Sequence, residues 1–249
     1  MNDSASLRAS PAPADAVLPE SGGFLGVVML DTRFPRPPGD VGHPRTFGVP
    51  VRRLVVPGAV PHRVVASAAS LLASGLHLRF IEAMQALERD GACALTTSCG
   101  FLVLLQRQLQ AAVQVPVVSS SLLQLPALLQ SQPQVGVLTI SAEHLTGEYL
   151  LAAGVPPARL GDVAVQGVDA AGEFAGAILG NRVAMDIEQA RSDVVAAATA
   201  LRSRAPGLRT LVLECTNMPP YAQAIREATG LEVRSLLDAP QLVAWAGPA

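Results

Sequence analysis

Short blocks of consecutive apolar residues alternate along this chain with longer segments whose apolar positions recur at helical spacing. Phe24-Leu-Gly-Val-Val-Met-Leu30 is the first block and reads as a buried strand. Val51–Val56, Ala92–Thr97, Val115–Val118, Val135–Ile140, Leu160–Val165, Leu208–Glu214 and Leu231–Ser235 read as further strands. Helix is predicted over Val64–Asp90 with a break near Gly75, on a stripe of Leu78, Ile81, Met84 and Leu87. Further helices are predicted over Phe101–Val113, Leu122–Leu129, Glu143–Ala153, part of Arg182–Arg204, and Tyr221–Thr229. Strands alternating with helices in this way build parallel sheets with crossover helices, so the fold class is α/β.

The two halves of the chain align around a cysteine without a gap. Val117 and Ser119 follow Cys99 at the offsets at which Val233 and Ser235 follow Cys215, and Leu95 and Leu211 match upstream. The repeated strand–Cys–helix–strand order predicts two pseudo-symmetric lobes, each a mostly parallel sheet flanked by helices. Residues 24–130 form the N-terminal lobe and 131–249 the C-terminal lobe. Residues 1–23 are rich in Ser, Ala and Pro without period and read as a disordered tail. Both cysteines are expected at the carboxyl ends of strands, where α/β sheets place ligands.

Composition narrows the classes. A chain of 249 residues has ample length for a core, and its net charge of -2 argues against a nucleic-acid partner. No apolar run reaches membrane-spanning length, so no membrane partner is expected. The first residues lack the basic start and apolar core of a signal peptide, which makes a cytoplasmic location the expectation. Three cysteines, an odd number, read as free thiols. All 18 basic residues are arginine, which excludes a lysine Schiff base, the usual attachment of pyridoxal phosphate, and a lysine general base.

The chemistry therefore centres on Cys99 and Cys215. A thiol has a pKa of roughly 8.5, and a helix N-terminus lowers it. Both cysteines precede predicted helices, whose free N–H groups also suit a carboxylate. Thr97, Ser98, Gly100, Thr216 and Asn217 flank the thiols and are candidates to bind substrate oxygens. Thr32 and Arg33, in the Pro-rich loop Asp31–His43, and Thr139 and Ser141, after another strand, are candidates to close a cleft. Cys93, mid-strand, reads as a small buried hydrophobe. The scattered His43, His62 and His77 make no metal site. Two thiols on opposite faces of a small acid can remove a proton from one side and return it from the other.

These segments resemble the aspartate/glutamate racemase superfamily, which includes hydantoin racemases, maleate isomerases and arylmalonate decarboxylases. The resemblance spans roughly Phe24 to Leu242 and is tightest at Leu213-Glu214-Cys215-Thr216, against the family's Leu-Gly-Cys-Thr. It implies an active site between the lobes and a cofactor-independent racemase or epimerase, an isomerase, acting on a small carboxylate-bearing amino acid or derivative through Cys99 and Cys215. A related decarboxylase or cis–trans isomerase of a small dicarboxylate, and a non-catalytic small-acid-binding protein, are the alternatives. Exposed lobes of this family often pair, so the resemblance admits a homo-oligomer, a dimer. Two positions depart from the pattern. Cys99-Gly100-Phe101 stands where amino-acid racemases carry Cys-Asn-Thr, and Glu214 replaces Gly. On a strand, Glu214 would point away from Cys215.

Overall fold

The computed structural model describes residues 23–242 and the backbone of Arg8–Ala9. The expected N-terminal tail falls outside these residues apart from Arg8–Ala9 and Gly23. The first half of the chain runs β1 (Arg8–Ala9), β2 (Phe24–Leu30), β3 (Val51–Val56), α1 (Pro61–Val65), α2 (Ala68–Ala73), α3 (Leu76–Arg89), β4 (Ala92–Thr97), α4 (Gln106–Ala111), β5 (Val117–Val118) and α5 (Leu125–Ser131). The second half runs β6 (Val135–Thr139), α6 (Gly147–Ala152), β7 (Val163–Gly167), α7 (Glu173–Leu179), α8 (Ile187–Arg204), β8 (Thr210–Leu213), α9 (Ala222–Thr229) and β9 (Glu232–Arg234).

The strands form two sheets, in the orders β1-β3-β2-β4-β5 and β7-β6-β8-β9. Every pairing is parallel except that of β1 with β3. With β1 set aside, β2 corresponds to β6, β3 to β7, β4 to β8 and β5 to β9. The correspondence extends to register, since Leu95 pairs with Val117 and Leu211 with Val233. The residues that repeat in the sequence are therefore the ones that pair in the sheets. β2 is buried along its whole length because it is central in its sheet and covered on both faces. Among the described residues, no helix is long and apolar enough to cross a membrane.

Several elements differ from the expectations, each for a local reason. The segment Val64–Asp90 is three helices rather than one broken near Gly75. Ser67 is extended and caps α2 through its side chain, and Gly75 takes a φ of 70° before α3. The buried stripe of α3 is Leu76, Phe80, Ala83, Met84 and Leu87, whereas Leu78 is 56% exposed. After Cys99 the chain winds as a 3-10 helix over Gly100–Leu105 before α4. The helix expected from Glu143 begins only at Gly147, because Ser141 and His144 hold the preceding turn together side chain to side chain. Leu160–Asp162 belongs to a 3-10 turn, and β7 starts at Val163. Cys93 is exposed, not buried, lying beside the register shift where β2 and β4 first pair. The helix α7 carried no sequence expectation.

Candidate active site

Cys99 and Cys215 stand just past the ends of the equivalent strands β4 and β8, each buried to 7% exposure. They line one small pocket between the lobes. Ser98, Gly100, Glu214, Thr216 and Asn217 share the lining with them. The rest of the wall is apolar, built mainly from Leu30, Phe34, Phe101, Ile140, Ile178 and Leu179.

Hydroxyl side chains shape the turn at Cys99. Thr97 Oγ1 donates to the carbonyls of Ser119 (2.8 Å) and Cys99 (3.0 Å), and accepts the Cys99 N–H. Ser98 Oγ accepts the N–H of Leu30 at 2.9 Å, fastening the end of β4 to that of β2. The N–H groups of Phe101 and Leu102, at the start of the 3-10 helix, face the Cys99 sulfur. Thr97 and Ser98 thus brace the thiol, with their own hydroxyls already engaged.

The turn at Cys215 ties the lobes together. Thr216 Oγ1 donates to the Ser98 carbonyl at 2.7 Å, and the Thr216 carbonyl accepts the Val41 N–H at 3.2 Å. The Cys215 thiol donates to Asn217 Oδ1 at 3.5 Å, while Asn217 Nδ2 donates to Asp40 Oδ2 at 2.7 Å. Asp40 also accepts from Arg36 at 2.6 Å and from the Gly42 N–H at 2.7 Å. Arg36 lies 4.6 Å over the Phe34 ring and donates to Thr32 Oγ1. The loop arginine turned inward is therefore Arg36. The side chain of Arg33 is exposed, and its backbone N–H donates to Asn181 Oδ1 at 2.7 Å. Arg33 is the candidate expected to help close the cleft, but the turn that places Asp40 draws in Arg36 instead.

Glu214 departs from strand alternation in its orientation. β8 ends at Leu213, so strand alternation no longer governs residue 214, and its side chain reaches the same cavity as Cys215. Its Oε2 accepts from Thr139 Oγ1 at 2.8 Å, and its Oε1 is buried without a partner. Burial raises its pKa to about 8, against the lowering effect of the Thr139 bond. The signal available in the sequence was a single acid directly after the apolar run Leu211-Val212-Leu213.

Of the residues expected at the site, Ser98, Cys99, Gly100, Cys215, Thr216 and Asn217 come together at the cavity. Thr97 and Thr139 sit behind it, acting through Cys99 and Glu214. Thr32 acts through Arg36, and Ser141 pairs with His144 away from the cavity lining. The helix-start geometry does not lower the thiols. Burial first, then the Glu214 charge, raises Cys99 to about 12 in spite of the Phe101 and Leu102 N–H groups. The same two causes raise Cys215 well above the ordinary thiol value, in spite of the Asn217 N–H. Tyr149, edge-on to Phe101 at 5.2 Å, keeps a buried hydroxyl without a partner close enough to feel both Cys99 and Glu214.

The family described as Asp/Glu/Hydantoin racemase matches residues 66–246. Dimethylsulfoniopropionate lyase 3 of Emiliania huxleyi (strain CCMP1516) is 31% identical over 243 residues, covering 93% of this chain and 59% of the lyase. The chain thus spans less than two thirds of that relative. A mutant of arylmalonate decarboxylase in a sulfate-associated form aligns with a TM-score of 0.58 at 15% identity, over 90% of this chain and 93% of that one. An aspartate racemase homologue from Pyrococcus horikoshii OT3 aligns with a TM-score of 0.51 at 16% identity, over 90% of this chain and 99% of that one. At such identities the two structures share the fold.

Proposed function

The chain belongs to the Asp/Glu/hydantoin racemase family, and from that premise we propose that it is a lyase working without a cofactor, which removes the α-proton of a small carboxylate and expels a dimethylsulfonium group from the β-carbon. The observation that carries the reading is the meeting of Cys99 and Cys215 at one largely apolar pocket between the lobes. The dimethylsulfoniopropionate lyase that matches most of this chain supports elimination over racemisation. Gly100 and Phe101 support it too, since they offer no polar side chain to hold an amino-acid headgroup.

In the proposed step a thiolate takes the α-proton. The electron pair of the Cα–H bond becomes the Cα–Cβ double bond. The Cβ–S bond breaks with its pair going to sulfur, so that dimethyl sulfide and acrylate leave. Burial keeps both thiols protonated at neutral pH in the empty cavity, so the base forms only when a substrate changes the local field. The N–H groups of Phe101 and Leu102 then hold a thiolate at Cys99, and Asn217 Oδ1 fixes the thiol proton of Cys215.

A second reading, racemisation, is favoured by the placement of one thiol at each lobe's equivalent strand end. The two separate cleanly. The purified protein is incubated with dimethylsulfoniopropionate, aspartate and glutamate in deuterated water, and dimethyl sulfide, acrylate and α-deuterium are measured. Elimination needs one base, so Cys99→Ala and Cys215→Ala lose activity unequally, the worse by about 100-fold or more. Equal loss together with deuterated, inverted amino acid establishes racemisation instead. Absence of dimethyl sulfide with wild-type protein overturns the lyase reading.

A further inference from the structure

Glu214 Oε1 is a polar atom sealed in a cavity wall with nothing to bond. Such an atom is costly wherever it stays unsatisfied. Among the described residues that line the cavity, none is Arg or His, and the chain has no lysine. The nearest inward arginine, Arg36, is taken up by Asp40 and Thr32. A positive partner for an ionised Glu214 can therefore come only with a ligand.

The kind of cation follows from counting acceptors. A free ammonium brings three N–H donors, each of which needs an acceptor when buried. Glu214 Oε1 and the neighbouring Tyr149 hydroxyl apart, the oxygens around the thiols are already engaged. Asn217 Oδ1 takes the Cys215 thiol, the Ser98 carbonyl takes Thr216, and Glu214 Oε2 takes Thr139. A methylated sulfonium or quaternary ammonium has no N–H to satisfy, and its methyl groups suit a wall containing Phe34 and Phe101. We propose that Glu214 is the counter-ion of a fully alkylated onium group on the substrate, and that this carboxyl selects an onium zwitterion over one bearing a free ammonium.

This assignment rests on the lyase reading and deepens it. Glu214 faces Cys99, Cys215 and Tyr149, with Arg36 acting on Cys99 from the loop side. An onium charge set against Glu214 favours the ionised carboxyl and offsets its field at the thiols, so substrate arrival lessens the cost of forming the base.

The test uses ligands that cannot undergo the reaction readily. Binding of dimethylsulfonioacetate, 3-(trimethylammonio)propanoate, 3-aminopropanoate and the uncharged-head isostere 4,4-dimethylpentanoate is measured by calorimetry on wild type and Glu214→Gln. Wild type is expected to bind an onium compound at least tenfold more tightly than both the primary amine and the isostere. Glu214→Gln is expected to keep isostere binding and lose the onium preference. A preference that survives in Glu214→Gln, a wild type that favours the primary amine, or no onium binding overturns the assignment. On wild type alone, the onium preference must grow as pH rises through about 8, where the carboxyl ionises; a flat preference also overturns it. Release of dimethyl sulfide from dimethylsulfoniopropionate is scored separately. Onium preference without release overturns only the lyase reading, and release without a Glu214-dependent preference overturns only this assignment.

Discussion

Gly100 and Glu214 occupy a single shared volume where the two lobes meet. A Cβ on Gly100 would fall within van der Waals overlap of both the carbonyl oxygen and Oε1 of Glu214. The family resemblance places Asn after the first cysteine and Gly before the second. Here the bulk has moved across the interface, from the turn after β4 to the end of β8. The exchange puts a carboxyl at the cavity where a neutral amide would stand.

Gly100→Ala should therefore destabilise the protein by about 1–3 kcal/mol, the usual cost of forcing a methyl into a packed site. Glu214→Gly in the same chain should return part of that loss by clearing Oε1, though not the carbonyl oxygen. The two substitutions should couple by about 0.5–3 kcal/mol in urea unfolding. Strict additivity would mean that the two residues do not share space.

Stability should also depend on pH through Glu214. Its folded pKa, about 8, lies above the ordinary value of 4.5, so the folded protein binds the extra proton. This contribution is fully present below about 4.5 and is lost as pH climbs through about 8, amounting to a few kcal/mol. Unfolding free energies of wild type and Glu214→Gln, compared from pH 4 to 9, should diverge across that window, with wild type losing ground at the alkaline end. Parallel curves would contradict the burial of an ionisable group there.

Asp40 fastens the Cys215 turn to the first loop. Its Oδ1 holds Arg36 and its Oδ2 holds Asn217. Asp40→Ala leaves Arg36, whose side chain is 12% exposed, without its buried partner. The expected cost is about 3–5 kcal/mol. Asp40→Asn retains the volume and should cost less, while lowering kcat/KM because Asn217 loses its charged anchor and no longer fixes the Cys215 proton. Unchanged kinetics in a folded Asp40→Asn protein would show that the Asn217–Cys215 contact has no part in catalysis.

Asn181 clips the far edge of the cavity. It takes a φ of 49°, its Oδ1 accepts from the Arg33 N–H, and its Nδ2 donates to the Asp31 carbonyl at 3.2 Å. Ile178 and Leu179, just before it, and Leu30 and Phe34, just around the clipped loop, are all cavity wall. Asn181→Gly keeps the backbone conformation and removes both bonds, so the Arg33 amide should exchange with solvent faster by about tenfold, as follows from the loss of roughly one hydrogen bond. Asn181→Ala should be less stable than Asn181→Gly by about 1 kcal/mol, since alanine pays for a left-handed backbone. Equal stabilities would place no strain at residue 181.

The sequence by itself determined the α/β class, the two-lobed repeat and the position of both cysteines past equivalent strand ends. Those features follow from short-range physics, because the apolar blocks of β2, β4, β6 and β8 must be buried and the helical segments between them must cover the sheets. The paired offsets of Leu95 with Leu211 and Val117 with Val233 even carried the register. Local breaks at Ser67 and at the Ser141–His144 turn were less legible, because each depends on one side-chain hydrogen bond that competes with helix. Only the tertiary structure decided the chemistry of the site. It turned Arg36 inward in place of Arg33 and closed an apolar cavity that raises both thiols. It also brought Glu214 against Gly100, a residue distant from it in the chain. The reason is physical: the charge state of a buried thiol or carboxyl is set by everything that excludes water around it, and those neighbours come from both lobes at once.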